Sequence, residues 1–156
     1  MKKILFVISV IFIFGKCAKK PNYSSTPQIS FKSFQVLTRD SAILSITFSD
    51  GDGDIGGGPS GDGNFFITYY FWNVDSNKYL LYKDPTHTFL YDTIDVRSFP
   101  SPSDAYKNKP ISGEIALLIS PFRPDDSIKK LKMTCYIKDN AGHKSNPIKT
   151  PDVYAP

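Results

Sequence analysis

The sequence predicts an all-β fold: an antiparallel Greek-key β-sandwich, immunoglobulin-like, with about eight strands in residues 29–156. Two observations lead to this prediction. Short apolar or alternating stretches recur along the chain with turn-forming residues between them, and no long stretch has helical spacing. Fourteen of the fifteen acidic residues are aspartate, which favours turns over helix interiors. An up-and-down barrel is the alternative architecture.

Period-two alternation supports the expected strands. It is clearest in residues 41–49 and 131–137, where one face is apolar, and it predicts that Cys135 is a buried, unreactive thiol. Residues 64–73 are apolar on both faces, which predicts a central strand, and Trp72 lies where immunoglobulin-like domains often bury a tryptophan. The expected strands are residues 29–37, 41–49, 64–73, 78–83, 89–96, 111–120, 128–139 and 147–155.

The first seventeen residues resemble the export signal of bacterial lipoproteins. Two lysines precede residues 4–14, an apolar run of signal-peptide length that is shorter than the roughly 20 residues of a membrane-spanning helix. Cys17 follows in the sequence GKC, which resembles a lipobox, with Lys16 in place of the usual small residue. We expect residues 1–16 to be a signal peptide, Cys17 to carry lipid, and residues 17–28 to form a flexible tether. An uncleaved anchor and ordinary secretion are the alternatives.

The charge of the chain depends on this signal. The formal net charge is +4, and removing Lys2, Lys3 and Lys16 leaves sixteen basic and fifteen acidic residues, a net charge of +1. The basic isoelectric point therefore reflects targeting, and the composition offers no case for a nucleic-acid partner.

Three stretches together resemble a known class of protein. They are ITFSDGDGDIGG at residues 46–57, NFFITYY at 64–70 and CYIKDNAGHKSNPIKTP at 135–151. Their order and spacing are similar to those of small Bacteroidota-type envelope lipoproteins with a single immunoglobulin-like or fibronectin-like domain. The resemblance implies a lipid-anchored location at the cell outer membrane and a non-enzymatic role, and it supplies no catalytic residues.

The aspartates at alternate positions after the second strand suggest a metal site. Calcium takes six to eight oxygen ligands, often from acidic loops with glycines at sharp bends. Asp50, Asp52 and Asp54 match the first ligands of a helix–loop–helix calcium site. That motif also needs glycine at its sixth position and glutamate at its twelfth, where this chain has Ile55 and Gly61. The helix–loop–helix interpretation therefore fails, and a looser aspartate site remains.

The predicted fold adds a fourth carboxylate. In an immunoglobulin-like sandwich, the loop after residues 41–49 and the loop after residues 128–139 lie at the same end. Asp139 should therefore approach Asp50, Asp52 and Asp54, and one calcium ion held by all four would join the two loops. The alternative is a solvated turn whose aspartates bind nearby amides, followed by a glycine-rich connector at residues 56–64.

Aromatic side chains suggest a binding surface. Tyr70, Trp72, Tyr79 and Tyr82 cluster on two consecutive expected strands, and some of them must face outward. An exposed aromatic face could stack on sugar rings or bind a protein. The alternative is that the second sheet covers one face and the loop at residues 97–110 covers the other.

Enzymatic motifs are missing from the sequence. His87 and His143 are the only histidines, and no H-E-x-x-H or G-x-S-x-G sequence occurs. Nothing pairs particular aspartates as in a glycosidase. We expect a non-enzymatic binding or structural module within or beside an outer-membrane protein assembly, with an envelope protein as partner. The alternative is a carbohydrate-binding accessory lipoprotein.

Overall fold

The computed structural model describes residues 22–57, 64–82, 95–102, 106–123 and 125–156. The expected signal peptide and Cys17 lie outside these residues, as does most of the expected strand at 89–96. No α-helix occurs in the described ranges, and no helical segment there has the length and apolarity needed to cross a membrane. The strands are β1 (Gln28–Val36), β2 (Ala42–Asp50), β3 (Phe65–Asn73), β4 (Lys78–Leu81), β5 (Asp95–Arg97), β6 (Ile111–Ile119), β7 (Lys130–Ile137), β8 (Ile148–Lys149) and β9 (Val153–Tyr154).

These strands form two antiparallel sheets. One has the order β1-β2-β6, and the other has the order β4-β3-β7-β8, with β5 also paired to β3 and β9 also paired to β7. The predicted all-β antiparallel sandwich is confirmed, whereas the Greek-key connection stays a prediction. The expected strand at 147–155 divides into β8 and β9 around Pro151, because proline has no amide to donate to the ladder.

The core lies between the inner faces of the two sheets. In β7, the alternation predicted from the sequence is observed without interruption, with every second side chain buried. Cys135 is fully buried among them, and burial raises the pKa of its thiol to about 12. The predicted inert, apolar-face cysteine agrees with this environment because the nucleophilic thiolate is suppressed.

The segment before β1 packs on the domain. Pro27 is fully buried, and the Tyr23 hydroxyl donates a hydrogen bond to Ser112 Oγ at 3.3 Å. Gly51 lies so close to this segment that a Cβ on it would be 2.5 Å from the Tyr23 carbonyl oxygen. Within the expected tether, Tyr23, Ser24 and Pro27 therefore contact the domain, although the composition of this segment is polar.

The adjacent leucines of β6 test which face points inward. Leu117 is buried in the core, whereas Leu118 is 58% exposed on the outer face. Leu117→Ala should lower the free energy of unfolding by about 2–5 kcal/mol because it leaves a cavity. Leu118→Ala should change it by less than about 0.5 kcal/mol. Urea unfolding measures both, and equal losses would show that β6 is turned over.

Candidate functional site

The loop after β2 and the loop after β7 meet at one end of the sandwich. Ile55 and Asp139 form an isolated antiparallel bridge. The backbone amide of Asn140 donates to the Asp54 carbonyl at 3.1 Å, and that of Ala141 donates to Asp54 Oδ2 at 2.9 Å. The approach of Asp139 to the aspartate loop, predicted from the fold class, is therefore observed, and it is held by backbone contacts.

Three of the four predicted aspartates form a compact group. One carboxylate oxygen from each of Asp50, Asp54 and Asp139 lies within 4.8 Å of the other two, an arrangement that could hold a metal ion. Asp52 does not belong to this group of three. Its negative charge nevertheless acts on both Asp50 and Asp54, so it adjoins the group.

Unpaired carboxylate oxygens distinguish this group from an ordinary acidic turn. Asp50 is completely buried, and neither of its carboxylate oxygens accepts a well-formed hydrogen bond from the described residues, although the Gly53 amide lies near enough to lower its pKa against the larger effect of burial. The atoms Asp52 Oδ1 and Asp54 Oδ1 are also buried, and neither has a hydrogen-bond partner among the described residues. Buried polar atoms without partners cost folding free energy, and a hard cation would satisfy several of them at once.

Burial and neighbouring carboxylates raise the pKa of two members of this group, Asp50 and Asp54. Burial, together with the charges of Asp52 and Asp54, raises the pKa of Asp50 to about 6. Burial raises the pKa of Asp54 as well, with Asp139 and Asp52 as further causes. Like charges held this close disfavour ionisation unless a proton or a cation lies between them. The group is therefore at its most strained when it is fully ionised and without a cation.

His143 is a member of this site that the sequence reasoning missed. Its ring Nδ1 lies 2.8 Å from Asp139 Oδ2, and its backbone amide donates to Asp139 Oδ1 at 2.7 Å. The hydrogen bond with Asp139 raises the pKa of His143. The four-residue spacing in the turn DNAGH is the signal that could have found it, because a tight turn brings such positions together.

A third segment packs against the aspartate loop. Gly53 has a φ of +69°, and a Cβ there would lie 2.5 Å from the Tyr106 carbonyl and 2.6 Å from the Lys109 carbonyl. Only glycine therefore fits this position. The Gly57 amide donates to the Phe99 carbonyl at 3.0 Å, so the start of the expected connector is seated on the domain. Residues 58–63 lie outside the described ranges.

The predicted aromatic surface is only partly assembled. Trp72 on β3 and Tyr79 on β4 are cross-strand partners with ring centroids 5.1 Å apart, and Tyr70 lies on the same outer face. Tyr82 instead packs edge-on against Phe71, with centroids 6.3 Å apart, and joins the core. Tyr82 is therefore separate from the other three, because it lies three positions after Tyr79 and so on the opposite face of the strand, while its amide still donates to the Tyr69 carbonyl at 3.1 Å.

Lysines cover the outer aromatic rings. Lys130 Nζ lies 4.5 Å from the centre of the Trp72 ring, and Lys132 Nζ lies 3.8 Å from that of Tyr79. Both lysines are outward-facing residues of β7, next to β3 in the sheet. The sequence suggested rings open to sugar stacking, whereas the structure has rings under ammonium groups, which attract the ring faces.

Comparisons with protein-family models, with curated proteins and with solved structures found no match to this chain. The fold therefore follows from the strand pairing, and the candidate site follows from the geometry of its own residues.

The raised pKa of Asp50 predicts a pH-dependent stability for the metal-free protein. The folded state holds the Asp50 proton more tightly than the unfolded chain does, so protonation of Asp50 stabilises the folded state. This stabilisation is lost as the pH rises from about 4 to about 6. Asp50→Asn removes the titration. In chelator, the stability advantage of Asp50→Asn over the unsubstituted protein should therefore grow across this window, as measured by urea unfolding at several pH values.

Asp75→Asn is the matched control because Asp75 lies exposed in the turn between β3 and β4. Its stability difference from the unsubstituted protein should not change with pH in the same way. If the difference in free energy of unfolding between Asp50→Asn and the unsubstituted protein stays constant with pH, the raised pKa of Asp50 is contradicted.

Proposed function

We propose that this chain is a non-enzymatic, calcium-stabilised binding module, held at the outer membrane by lipid on Cys17. The observation that carries the calcium part is the completely buried, unpaired Asp50 carboxylate within a group of three. The sequence resemblance to envelope lipoproteins supports the anchor and the absence of catalysis. The two parts are independent and are tested separately.

Calcium suits the candidate site better than other common metals. The group offers carboxylate oxygens, and calcium accepts six to eight oxygens in flexible geometry. Zinc favours cysteine and histidine in tetrahedral sites, and magnesium requires nearly octahedral geometry and retains several waters. Asp50, Asp54 and Asp139 would provide the ligands in this proposal, and Asp52 would adjoin them.

The proposed ion would act as a cross-link. Asp50 ends β2 and Asp54 lies in the loop after it, whereas Asp139 belongs to the loop after β7, so one ion would join the two sheets at this end. Neutralising the repulsion among the carboxylates would stabilise the folded state, and a ligand that binds only the folded state raises stability by mass action.

Calcium should therefore raise the thermal midpoint. We take a dissociation constant near 10⁻⁴ M, typical of extracellular calcium modules. Calcium at about a hundred times that concentration then raises the free energy of unfolding by about 2.7 kcal/mol. For one domain of this size that is roughly 10 °C relative to excess chelator. Differential scanning calorimetry measures the shift, and an unchanged midpoint would refute the site.

Substitutions at the ligands locate the effect. Asp50→Asn and Asp139→Asn should abolish most of the calcium-dependent shift, because each removes a proposed charged ligand. Asp75→Asn changes the charge by the same amount at an exposed turn and should retain the full shift. If both the Asp50→Asn and the Asp139→Asn variants keep the shift, calcium binds elsewhere.

The lipid anchor gives a cellular prediction. The protein should fractionate with membranes and, after gentle solubilisation, co-purify with an envelope protein, which we propose as its partner. Cys17→Ser should move it to the soluble fraction, because a lipid chain supplies the membrane affinity. Retention of the Cys17→Ser protein in membranes would contradict anchoring through this residue.

Carbohydrate binding is the second candidate function. It is favoured by the outer aromatic residues Tyr70, Trp72 and Tyr79, which share one face of the second sheet. The ammonium groups above the rings determine which carbohydrate chemistry this face would accept.

A further inference from the structure

We propose that the outer face of the six-stranded sheet binds an acidic polysaccharide. This face carries a band of five lysines along β7 and its neighbours, which we call the lysine band: Lys130, Lys132, Lys138, Lys144 and Lys149. The inference deepens the second candidate function, carbohydrate binding, and rests on it, since it names the class of carbohydrate.

Register places the lysine band on one face. The odd-numbered residues of β7 from 131 to 137 are buried, so the alternate residues Lys130 and Lys132 point outward. Lys149 is paired with Thr134 across β8 and shares its face. Lys144 Nζ lies 3.8 Å from the centre of the Tyr136 ring, and Lys138 lies at the far end of the same row.

The band is long and narrow. From Lys130 to Lys138, eight steps at about 3.4 Å give a length of roughly 27 Å. Positive charges arranged in a row match a linear polymer that carries negative charges at regular intervals.

Most of this positive charge is not neutralised within the domain. Lys130 forms a salt bridge with Asp152 at 2.8 Å. Lys132, Lys138, Lys144 and Lys149 form no salt bridge with any residue in the described ranges. On the opposite sheet, Lys32 is paired with Glu114. The outer face of the six-stranded sheet therefore carries four ammonium groups that have no ion-pair partner among the described residues.

The covered rings argue against a neutral sugar as the main ligand. Trp72 is half-buried. The Tyr79 ring packs edge-on against it, and Lys130 lies above its ring face. Stacking a sugar on Trp72 would require Lys130 to move and to lose its cation–π contact. An anionic ligand instead meets the ammonium groups where they already are, and the rings beneath hold them in place.

The size and form of the face argue against a protein partner at this position. Four strands across and about 27 Å along give on the order of 500 Å², below the roughly 800 Å² that each partner of a standard interface buries. Peptides bind sheets mainly at edges, through backbone hydrogen bonds that a sheet face does not offer. A linear polysaccharide with carboxylates needs neither a large interface nor a free strand edge.

The full-length protein, solubilised in detergent, provides the test, in buffer whose free calcium concentration is held the same for every probe. The probes are hexagalacturonate, its fully methyl-esterified neutral form, and hexaglutamate as an acidic peptide of equal charge. Trp72 is the only tryptophan and lies under Lys130, so its fluorescence reports binding directly. We expect hexagalacturonate to bind most tightly, with affinity that falls as salt rises from about 50 to about 200 mM.

The combined variant Lys132→Gln and Lys144→Gln should weaken the binding of hexagalacturonate about fivefold, since each exposed charge contact contributes a few tenths to one kcal/mol. Lys32→Gln with Lys107→Gln removes the same charge outside the lysine band and should leave the affinity within about twofold. Both variants should keep the calcium-dependent melting shift, which shows that they fold.

Several outcomes would overturn the inference. Equal binding of the methyl ester would point to neutral sugar stacking, and equal or tighter binding of hexaglutamate would point to an acidic protein. Absence of hexagalacturonate binding at about 50 mM salt by a protein that still responds to calcium would refute the polysaccharide and leave the calcium proposal intact. Loss of the calcium response alone would refute the calcium part of the proposed function and not the lysine band.

Discussion

Repulsion among carboxylates at one end of the sandwich is the constraint on which this structure most depends. Asp50 ends β2 with its side chain in the interior, and Asp54 and Asp139 bring two further negative groups to within 4.8 Å. Such a group is unfavourable when ionised and bare. Protonation relieves it below neutral pH, and the proposed calcium ion would relieve it at neutral pH.

The surrounding segments are arranged to hold the carboxylates despite this repulsion. Backbone amides of Asn140 and Ala141 bond to Asp54, and the segment containing Tyr106 and Lys109 presses on Gly53. The turn after β7 is itself tied to the first sheet, because the Asn146 side chain accepts from the Ile29 amide at 2.8 Å and donates to the Ile29 carbonyl at 2.9 Å. These contacts and the repulsion within the carboxylate group therefore act in opposite directions.

Charge is divided between two regions with different consequences. The carboxylates are enclosed by loops, where they can bind a small ion but not a polymer. The lysine band is open to solvent along a sheet face, where it can meet an extended ligand. In these proposals, the first region would stabilise the domain and the second would bind the acidic polysaccharide.

The amino-acid sequence by itself determined the strands whose faces alternate, because apolar side chains at every second position have only one favourable direction, toward the core. It also determined that Asp139 would approach the aspartate loop, since the order of the strands places both loops at one end. Only the tertiary structure decided that the Tyr23–Ser24 backbone lies against Gly51 and that lysines cover Trp72 and Tyr79. Those outcomes depend on contacts between residues far apart in the chain, and local sequence patterns do not indicate which distant residue will make the contact.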